Sequence, residues 1–217
     1  MYKLSIFDLD GTLLNTVGGL GYACNHIMQK HNHPTFPIED YNLKLGGGAY
    51  KLIQRALPDE YKEHEYIQKL KEEFFVFYKD NILVETFPYE GITKVLETLQ
   101  ENNILIAVAS NKFQAGVDEL MNHFFPQINF SILMGESKDI PTKPNPTMIE
   151  KIIEHTKVDK SEIIYFGDSD VDMITGNNAG ITPVGVLWGY RSKENLINSG
   201  ASKTIEKVED ILSFFDL

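Results

Sequence analysis

The chain has 217 residues, 42% of them hydrophobic, with a formal net charge of -11 and a pI near 5.0. This size and apolar content are enough for one large globular domain or two smaller ones. The acidic balance excludes a broad basic surface, so we expect neither nucleic acid nor an anionic membrane as partner. The single cysteine, Cys24, cannot form an internal disulfide, and no signal peptide or long apolar segment stands out. These features favour a cytoplasmic protein.

The first predicted element is a short strand, Leu4 to Asp8, in the segment KLSIFDLDGTLLNT. Three helical patterns follow Thr16 without an intervening strand: GGLGYACNHIMQKHNH, GAYKLIQRAL and DEYKEHEYIQKLKEEFFVFYKDNI. From Pro88 onward helix and strand alternate, which is typical of a parallel sheet with right-handed crossovers. We therefore predict an α/β fold with a Rossmann-like parallel-sheet core, residues 1–16 and 84–217, interrupted by a small α-helical cap domain, residues 17–83.

The helical insertion directly follows the first strand. A module attached there by two linkers is placed to open and close over a site at the end of that strand and to exclude water from it. A passive packing domain is the alternative interpretation of the same pattern.

Two aspartates, Asp8 and Asp10, end the first strand and are followed at once by Gly11 and Thr12. Because alternate residues of a strand face the same side, both carboxyl groups can lean into one site. Like charges this close repel unless a cation lies between them or one carboxyl keeps its proton. An Asp-x-Asp-Gly segment is also typical of a solvated turn, so the rest of the chain has to decide between the two interpretations.

Three later loops also follow predicted strands and carry further polar groups. Ser110-Asn111-Lys112 offers a hydroxyl and backbone amides suited to an anionic oxygen, although it is equally suited to capping a helix. Lys143 lies in a proline-rich segment, which favours a fixed positive charge. Asp168, Asp170 and Asp172 open a helix, where three carboxylates would repel without a cation.

In a parallel sheet, the carboxyl ends of the strands meet at one edge, where a single crevice can gather these groups. Carboxylate oxygens are preferred ligands of Mg²⁺, and a substrate phosphate commonly completes its shell. The combined set therefore indicates a phosphoryl-transfer site.

These motifs resemble those of the haloacid dehalogenase-like hydrolase superfamily, which contains aspartate-nucleophile phosphatases. Its four motifs are matched by Asp8-Leu9-Asp10-Gly11-Thr12, Ser110-Asn111, Lys143 with Pro144, and Gly167-Asp168 followed by Asp172. The helical insertion after the first motif resembles the subgroup with a small helical cap. Within it, the segments VASNK, KPNPTMI, FGDSDVDM and GVLWGYRSKENL are most similar to phosphoglycolate phosphatase-like proteins.

The resemblance implies a role for each matched residue. Asp8 would attack phosphorus to give an aspartyl phosphate, and Asp10 would act as general acid and base while its backbone carbonyl reaches the metal. Asp168 would hold Mg²⁺ together with Asp8, and Asp172 would orient a water on the metal or Lys143. Lys143 would also act in catalysis by balancing charge. The residues expected to bind the phosphoryl group are Gly11, Thr12, Ser110, Asn111 and Lys143.

In the predicted cap, the run Gly46-Gly47-Gly48 matches the region where such caps reach the substrate. Gly47, Gly48 and Lys51 are therefore candidate substrate contacts, and Arg55 is a further candidate for binding a substrate carboxylate. A glycine loop that simply begins a helix explains the run nearly as well.

The implied function is a Mg²⁺-dependent phosphohydrolase of small phosphomonoesters, with 2-phosphoglycolate as the leading substrate. Two alternatives stay open: a sugar-phosphate mutase of the β-phosphoglucomutase type, and a non-catalytic ligand-binding protein on the same fold. The presence of both Asp8 and Asp10 weighs against the second. We expect a small phosphorylated metabolite as partner, and a monomer or small homo-oligomer. Trp188, Tyr190 and Arg191 we interpret as mostly structural.

Overall fold

The computed structural model describes all residues, Met1–Leu217. The strands are β1 (Leu4–Phe7), β2 (Leu14–Asn15), β3 (Phe87–Pro88), β4 (Leu105–Phe113), β5 (Ile132–Glu136), β6 (Ile163–Gly167), β7 (Thr182–Val186) and β8 (Lys203–Ile205). The α-helices are α1 (Val17–Lys30), α2 (Gly48–Ala56), α3 (His64–Asp80), α4 (Ile92–Glu101), α5 (Gln114–Phe124), α6 (Thr147–Thr156), α7 (Asp170–Ala179) and α8 (Lys193–Asn198). None of the helices combines the length and the apolar content that a membrane span requires.

The chain divides into two compact units, which we call the α/β unit (Met1–Asn15 with Pro88–Leu217) and the helical unit (Thr16–Phe87). The sequence places the boundaries after residues 16 and 83, whereas the structure places them after Asn15 and Phe87. The second boundary lies later because residues beyond α3 stay attached to the helical unit. There the Thr86 hydroxyl donates to the Ile82 carbonyl oxygen at 3.1 Å.

The α/β unit is built on a six-stranded sheet in the order β5-β4-β1-β6-β7-β8. Every neighbouring pair in it is parallel. All four residues of β1 are buried, as expected for a strand covered on both faces. The predicted α/β parallel-sheet fold is therefore confirmed. The strand order reverses direction at β1, which makes its carboxyl end the expected place for a ligand.

The two faces of the sheet take alternate residues of β1. Leu4 and Ile6 belong to a buried apolar cluster on one face, to which α6 contributes Met148, Ile149 and Ile152. Phe7, which alternation places on the other face, stacks on Phe166 of β6 with ring centroids 5.2 Å apart. Both faces are therefore mainly apolar along β1, where the one polar side chain, Ser5, is buried and donates to the Leu105 carbonyl oxygen at 3.1 Å; the first charged group, Asp8, comes just after the strand.

The helical unit consists of α1, α2 and α3 with short 3-10 segments between them. Its core includes Cys24, whose burial raises the pKa of the thiol to about 12 and which serves as a packing residue. A buried polar group is neutral and paired: the Tyr41 hydroxyl donates to Asn25 Oδ1 at 2.8 Å. Asn25 Nδ2 in turn donates to the Phe36 carbonyl oxygen.

Several predicted element ends differ from the structure. The third helical pattern is broken, because Asp59–Tyr61 forms a separate 3-10 turn and α3 begins only at His64. The first strand, predicted to run from Leu4 to Asp8, ends at Phe7 in the structure, so Asp8 lies in the following loop. The strand β8, the helix α8 and the final 3-10 helix Val208–Phe215 had no counterpart in the prediction.

Candidate active site

The loop after β1 is a tight turn that presents Asp8 at the end of the sheet. The Asp8 amide donates to the Phe166 carbonyl oxygen at 2.9 Å, which continues the β1–β6 ladder by one residue. The Gly11 amide then donates to the Leu14 carbonyl oxygen at 2.8 Å with φ of 92°. A side chain at Gly11 would overlap the Asp168 carboxylate. Gly11 is therefore needed both for its backbone conformation and for the approach of Asp168.

Lys143 is the centre of a buried hydrogen-bond network. Its ammonium Nζ lies 2.7 Å from Asp8 Oδ1 and 2.6 Å from Asp172 Oδ1. It also lies 2.8 Å from the Ala109 carbonyl oxygen and 2.9 Å from the Tyr165 hydroxyl. The Lys143 side chain is only 2% exposed. One ammonium thus joins groups from the loop after β1, from β4, from β6 and from α7.

The side chain of Asn111 fixes the backbone of Lys143. Asn111 Nδ2 donates to the Lys143 carbonyl oxygen at 3.0 Å, and the Lys143 amide donates to Asn111 Oδ1 at 2.7 Å. This reciprocal pair ties the loop before α6 to the end of β4. The Asn111 side-chain amide is therefore engaged by the protein itself.

Asp172 is held by the start of α7. Ser169 and Asp172 form a capping box, in which Asp172 Oδ2 accepts from both the amide and the hydroxyl of Ser169. The other carboxylate oxygen, Oδ1, accepts from Lys143 and from the Tyr165 hydroxyl at 2.7 Å. Both oxygens of Asp172 are therefore engaged by protein groups, which fits a residue that orients Lys143.

Two residues that the sequence analysis interpreted as structural contact the site loops. The Tyr190 amide donates to Asp168 Oδ2 at 2.7 Å. The Trp188 indole Nε1 donates to the Thr12 carbonyl oxygen at 3.0 Å. Residues after β7 thus hydrogen-bond both to the loop that carries Thr12 and to the Asp168 carboxylate.

The site holds more negative than positive charge. Oxygens of Asp8, Asp168 and Asp172 lie within 4.8 Å of one another, and all three residues are buried. Burial and the neighbouring Asp172 raise the pKa of Asp8 to about 7, against the opposing pull of Lys143. The pKa of Asp168 is raised well above its usual value by burial, with further contributions from Asp172 and Asp8.

When all three carboxyl groups are ionised, one ammonium leaves two negative charges unbalanced, and a divalent cation would supply the missing positive charge. Carboxylate oxygens are also the donors that hard divalent cations prefer. The Asp8–Asp168–Asp172 group therefore could bind a divalent metal ion.

The Asp10 side chain contacts a different cation, the ammonium of Lys112. Its Oδ1 lies 3.0 Å from Lys112 Nζ, and its side chain is not part of the three-carboxylate group. The Ser110 hydroxyl oxygen, also buried, accepts from the Lys112 amide at 3.2 Å.

The Thr12 hydroxyl is fully buried and has no hydrogen-bond partner in the protein. A buried hydroxyl without a partner is uncommon and fits a ligand oxygen that the chain itself does not supply.

The candidate substrate contacts of the cap lie in the helical unit. Gly46, Gly47 and Gly48 all have positive φ and lead into α2. Lys51, which is exposed, donates from Nζ to Gln54 Oε1 at 3.1 Å. Arg55 Nη1 donates to the carbonyl oxygens of residues 44–46, so this end of the guanidinium holds the glycine loop.

With this fold and this group of side chains, the chain can be placed among known proteins. The sequence model of the haloacid dehalogenase-like hydrolases matches residues 5–186. The chain therefore belongs to the haloacid dehalogenase-like hydrolase family. Phosphatases of this family use a divalent metal ion, in keeping with the carboxylate group described above.

Within the family, the chain is similar to phosphoglycolate phosphatases. It is 31% identical to the phosphoglycolate phosphatase of Mannheimia succiniciproducens, with 97% of both chains covered. It is 26% identical to that of Aquifex aeolicus, over 99% of this chain and 97% of the other. A crystal structure of a predicted phosphoglycolate phosphatase from Haemophilus somnus has a TM-score of 0.88 at 25% identity, with 99% and 98% covered. The expected family, and the expected likeness to phosphoglycolate phosphatases, are confirmed.

Proposed function

We propose that this chain is a Mg²⁺-dependent phosphatase of small phosphomonoesters, that its nucleophile is Asp8, and that 2-phosphoglycolate is its leading substrate. The observation that carries this proposal is the buried group of Asp8, Lys143, Asp168 and Asp172 beyond the carboxyl ends of parallel strands. The choice of substrate is supported by the full-length similarity to phosphatases named for phosphoglycolate.

Asp8, Asp168 and the backbone carbonyl of Asp10 are the groups that would hold Mg²⁺. When bound, the ion supplies positive charge to the phosphoryl group and to the carboxylates around it. Asp172 has both oxygens engaged by Ser169, Lys143 and Tyr165, so we assign it to orienting Lys143.

In the first chemical step, a carboxylate oxygen of Asp8 attacks phosphorus while the bond from phosphorus to the ester oxygen breaks. The carboxyl group of Asp10 gives its proton to the leaving oxygen. Lys143 contacts Oδ1 of Asp8 and does not engage Oδ2. This contact favours the ionised, nucleophilic form of Asp8 and holds its carboxylate at the end of β1.

In the second step, water attacks phosphorus and gives a proton to the Asp10 carboxylate. The bond between Asp8 and phosphorus breaks, which releases inorganic phosphate and restores both aspartates. Two displacements of moderate difficulty thus replace one difficult displacement.

The charge of the transferring phosphoryl group is matched by donors from three segments: the loop after β1, the end of β4 and the loop before α6. The donors are Lys143, the hydroxyls of Thr12 and Ser110, and backbone amides near Gly11 and Asn111. Donors that are fixed before the reaction stabilise the developing charge without reorganising. The Thr12 hydroxyl, which has no partner in the protein, is available for this purpose.

The helical unit is assigned the role of a cap that supplies contacts to the rest of the substrate. Gly47, Gly48 and Lys51 are the proposed contacts, and Arg55 is assigned to holding the loop that carries the glycines.

Phosphate release from a panel of phosphomonoesters tests the proposal. The panel contains 2-phosphoglycolate, β-glucose 1-phosphate, nucleoside monophosphates and 4-nitrophenyl phosphate, each with Mg²⁺ and with EDTA. We expect Mg²⁺-dependent release that falls at least about 10³-fold in Asp8→Asn, because the nucleophile is lost. Asp139→Asn, which changes an exposed aspartate of the same unit, is the matched control and should behave as wild type.

The panel also separates the alternatives. Conversion of β-glucose 1-phosphate to glucose 6-phosphate without phosphate release would replace the phosphatase with a mutase. Turnover of other esters but not of 2-phosphoglycolate would overturn the substrate alone. If wild-type protein turned over nothing in the panel, the catalytic proposal itself would be wrong.

A further inference from the structure

Lys112 is a second buried cation in the α/β unit, and no step described so far uses it. It lies near the end of β4, and its side chain is only 2% exposed. A lysine is costly to bury unless its charge is compensated. Its Nζ lies 3.0 Å from Asp10 Oδ1, so the compensating group is the aspartate assigned here as general acid and base.

The two buried lysines contact different aspartates. Lys143 contacts Asp8 and Asp172, whereas Lys112 contacts Asp10. Asp10 Oδ1 is itself buried, and no aligned hydrogen bond holds it. The ion pair with Lys112 is therefore the interaction that holds this oxygen, while the Asp10 side chain as a whole stays 22% exposed.

Lys112 is in turn fixed close to the predicted phosphate contacts. Its backbone amide donates to the Ser110 hydroxyl oxygen, and Asn111, the residue between them, is tied to the backbone of Lys143. The ammonium that holds Asp10 is thus mounted on the same strand end as the groups assigned to the phosphoryl group.

We propose that Lys112 is a positioning residue, which holds the carboxyl group of Asp10 in the orientation needed for proton transfer to and from the ester oxygen and water. The inference rests on the proposed function, because it takes Asp10 as the general acid. It concerns the orientation of a side chain: a displacement of about 1 Å in a reacting group can cost about 10²-fold in rate.

A misplaced general acid affects substrates according to their leaving groups. An alkyl phosphate releases a strongly basic alkoxide, which needs the proton from Asp10 as the bond from phosphorus to oxygen breaks. 4-Nitrophenyl phosphate releases a stable phenolate, which leaves without that proton. Loss of Lys112 therefore should lower kcat/KM for the alkyl ester much more than for the aryl ester. A general loss of structure would lower both equally.

The test compares kcat/KM for 4-nitrophenyl phosphate and for the best alkyl ester of the panel in four proteins: wild type, Lys112→Met, Lys112→Arg and Lys3→Met. Lys3→Met is the matched control, since it removes a cation from an exposed ion pair with Glu162 in the same unit. We expect the alkyl-to-aryl ratio to fall about 10²-fold in Lys112→Met, to recover in part in Lys112→Arg, and to stay unchanged in Lys3→Met.

A double-mutant cycle with Asp10→Asn makes the test specific to this pair. If Lys112 acts through Asp10, adding Lys112→Met to Asp10→Asn should change the ratio little further. Should Lys112→Met not be recovered folded, Lys112→Gln, which keeps a polar group, carries the same comparison. Equal losses on both esters, or additive effects in the cycle, overturn the inference while leaving the phosphatase intact. A wild-type protein inactive on every ester overturns the proposed function and the inference with it.

Discussion

The two units of this chain treat buried polar groups in opposite ways. All five buried charged side chains, Asp8, Lys112, Lys143, Asp168 and Asp172, belong to the α/β unit. In the helical unit the buried polar contact between Tyr41 and Asn25 is neutral, and the ion pairs of Glu73 keep some contact with solvent. Buried charge is costly, so its concentration at one end of one sheet marks that place as functional.

The comparison also separates two kinds of stability. The helical unit is held by apolar packing and paired neutral groups, each of which lowers the free energy of the folded state. The α/β unit contains a carboxylate group with too little positive charge, and this group opposes folding until a cation reaches it. Three measurements test this distinction.

The largest effect is expected from Lys143→Met. This change leaves Asp8 and Asp172 buried without their shared cation, which should lower the free energy of unfolding by about 3–5 kcal/mol. It also removes the positive charge of Lys143, which is proposed to stabilise the transferring phosphoryl group, so turnover should fall by about 10²- to 10³-fold. Urea unfolding in EDTA and phosphate release in Mg²⁺ measure the two effects. Unchanged stability would mean that the ammonium does not compensate the carboxylates.

A smaller effect is expected from pH in the absence of metal. Burial raises the pKa of Asp8 from 3.8 to about 7, so between these values the folded state holds a proton that the unfolded chain has released. This stabilisation is fully present below the lower pKa and is lost as pH rises through the higher one. The loss should be at most about 4 kcal/mol, because each pKa unit corresponds to about 1.4 kcal/mol, and urea unfolding in EDTA measures it.

Asp8→Asn is the control for this pH dependence. It removes one of the titrating carboxyl groups and should make the loss of stability between about pH 4 and 7 smaller, while Asp168, whose pKa is also raised, still contributes. Mg²⁺ should have a similar effect on wild type, because it favours the ionised carboxylates. A wild-type curve that rises steadily through this window would contradict the prediction.

The smallest effect is expected in the helical unit, from Glu73→Gln. Hydrogen bonds from Lys30 and His31 lower the pKa of Glu73 to about 2. The contribution of this carboxylate is therefore present above its usual pKa and lost as pH falls through about 2, the reverse of Asp8. Since the pair with Lys30 is partly exposed, the change should cost no more than about 1 kcal/mol by urea unfolding at pH 7. A loss comparable to that of Lys143→Met would erase the difference between the units.

The sequence allowed prediction of candidate site residues at or near the carboxyl ends of strands. Asp8 and Asp168 directly follow β1 and β6, and Ser110 lies in the last part of β4; they were chosen because a parallel sheet brings strand ends together, whatever the packing of the rest. The fold class followed from the alternation of helix and strand for the same reason. These inferences need only the order of elements along the chain.

Residues that reach the site from elsewhere were not predicted. Tyr165 lies within β6, and Trp188 and Tyr190 follow β7, so their contacts depend on side-chain reach and on a loop path that no local pattern encodes. Lys112 did leave a signal: it lies two residues after Ser110, and alternate residues of an extended segment share a face. The rule that places Asp8 and Asp10 on the same side of a strand also places Ser110 and Lys112 on the same side, and it would have identified Lys112 as a candidate.

The reciprocal hydrogen bonds between Asn111 and Lys143 also bear on how this protein can be engineered. They anchor Lys143 to the neighbouring strand, so its place does not depend on the exposed loop residues 137–139 that precede it, whereas Ile140 packs against the core. Exposed loops of this kind accept added sequence when the backbone that follows is tied down independently. This loop is therefore the position at which a peptide tag or a small reporter domain can be inserted while the lysine stays in register.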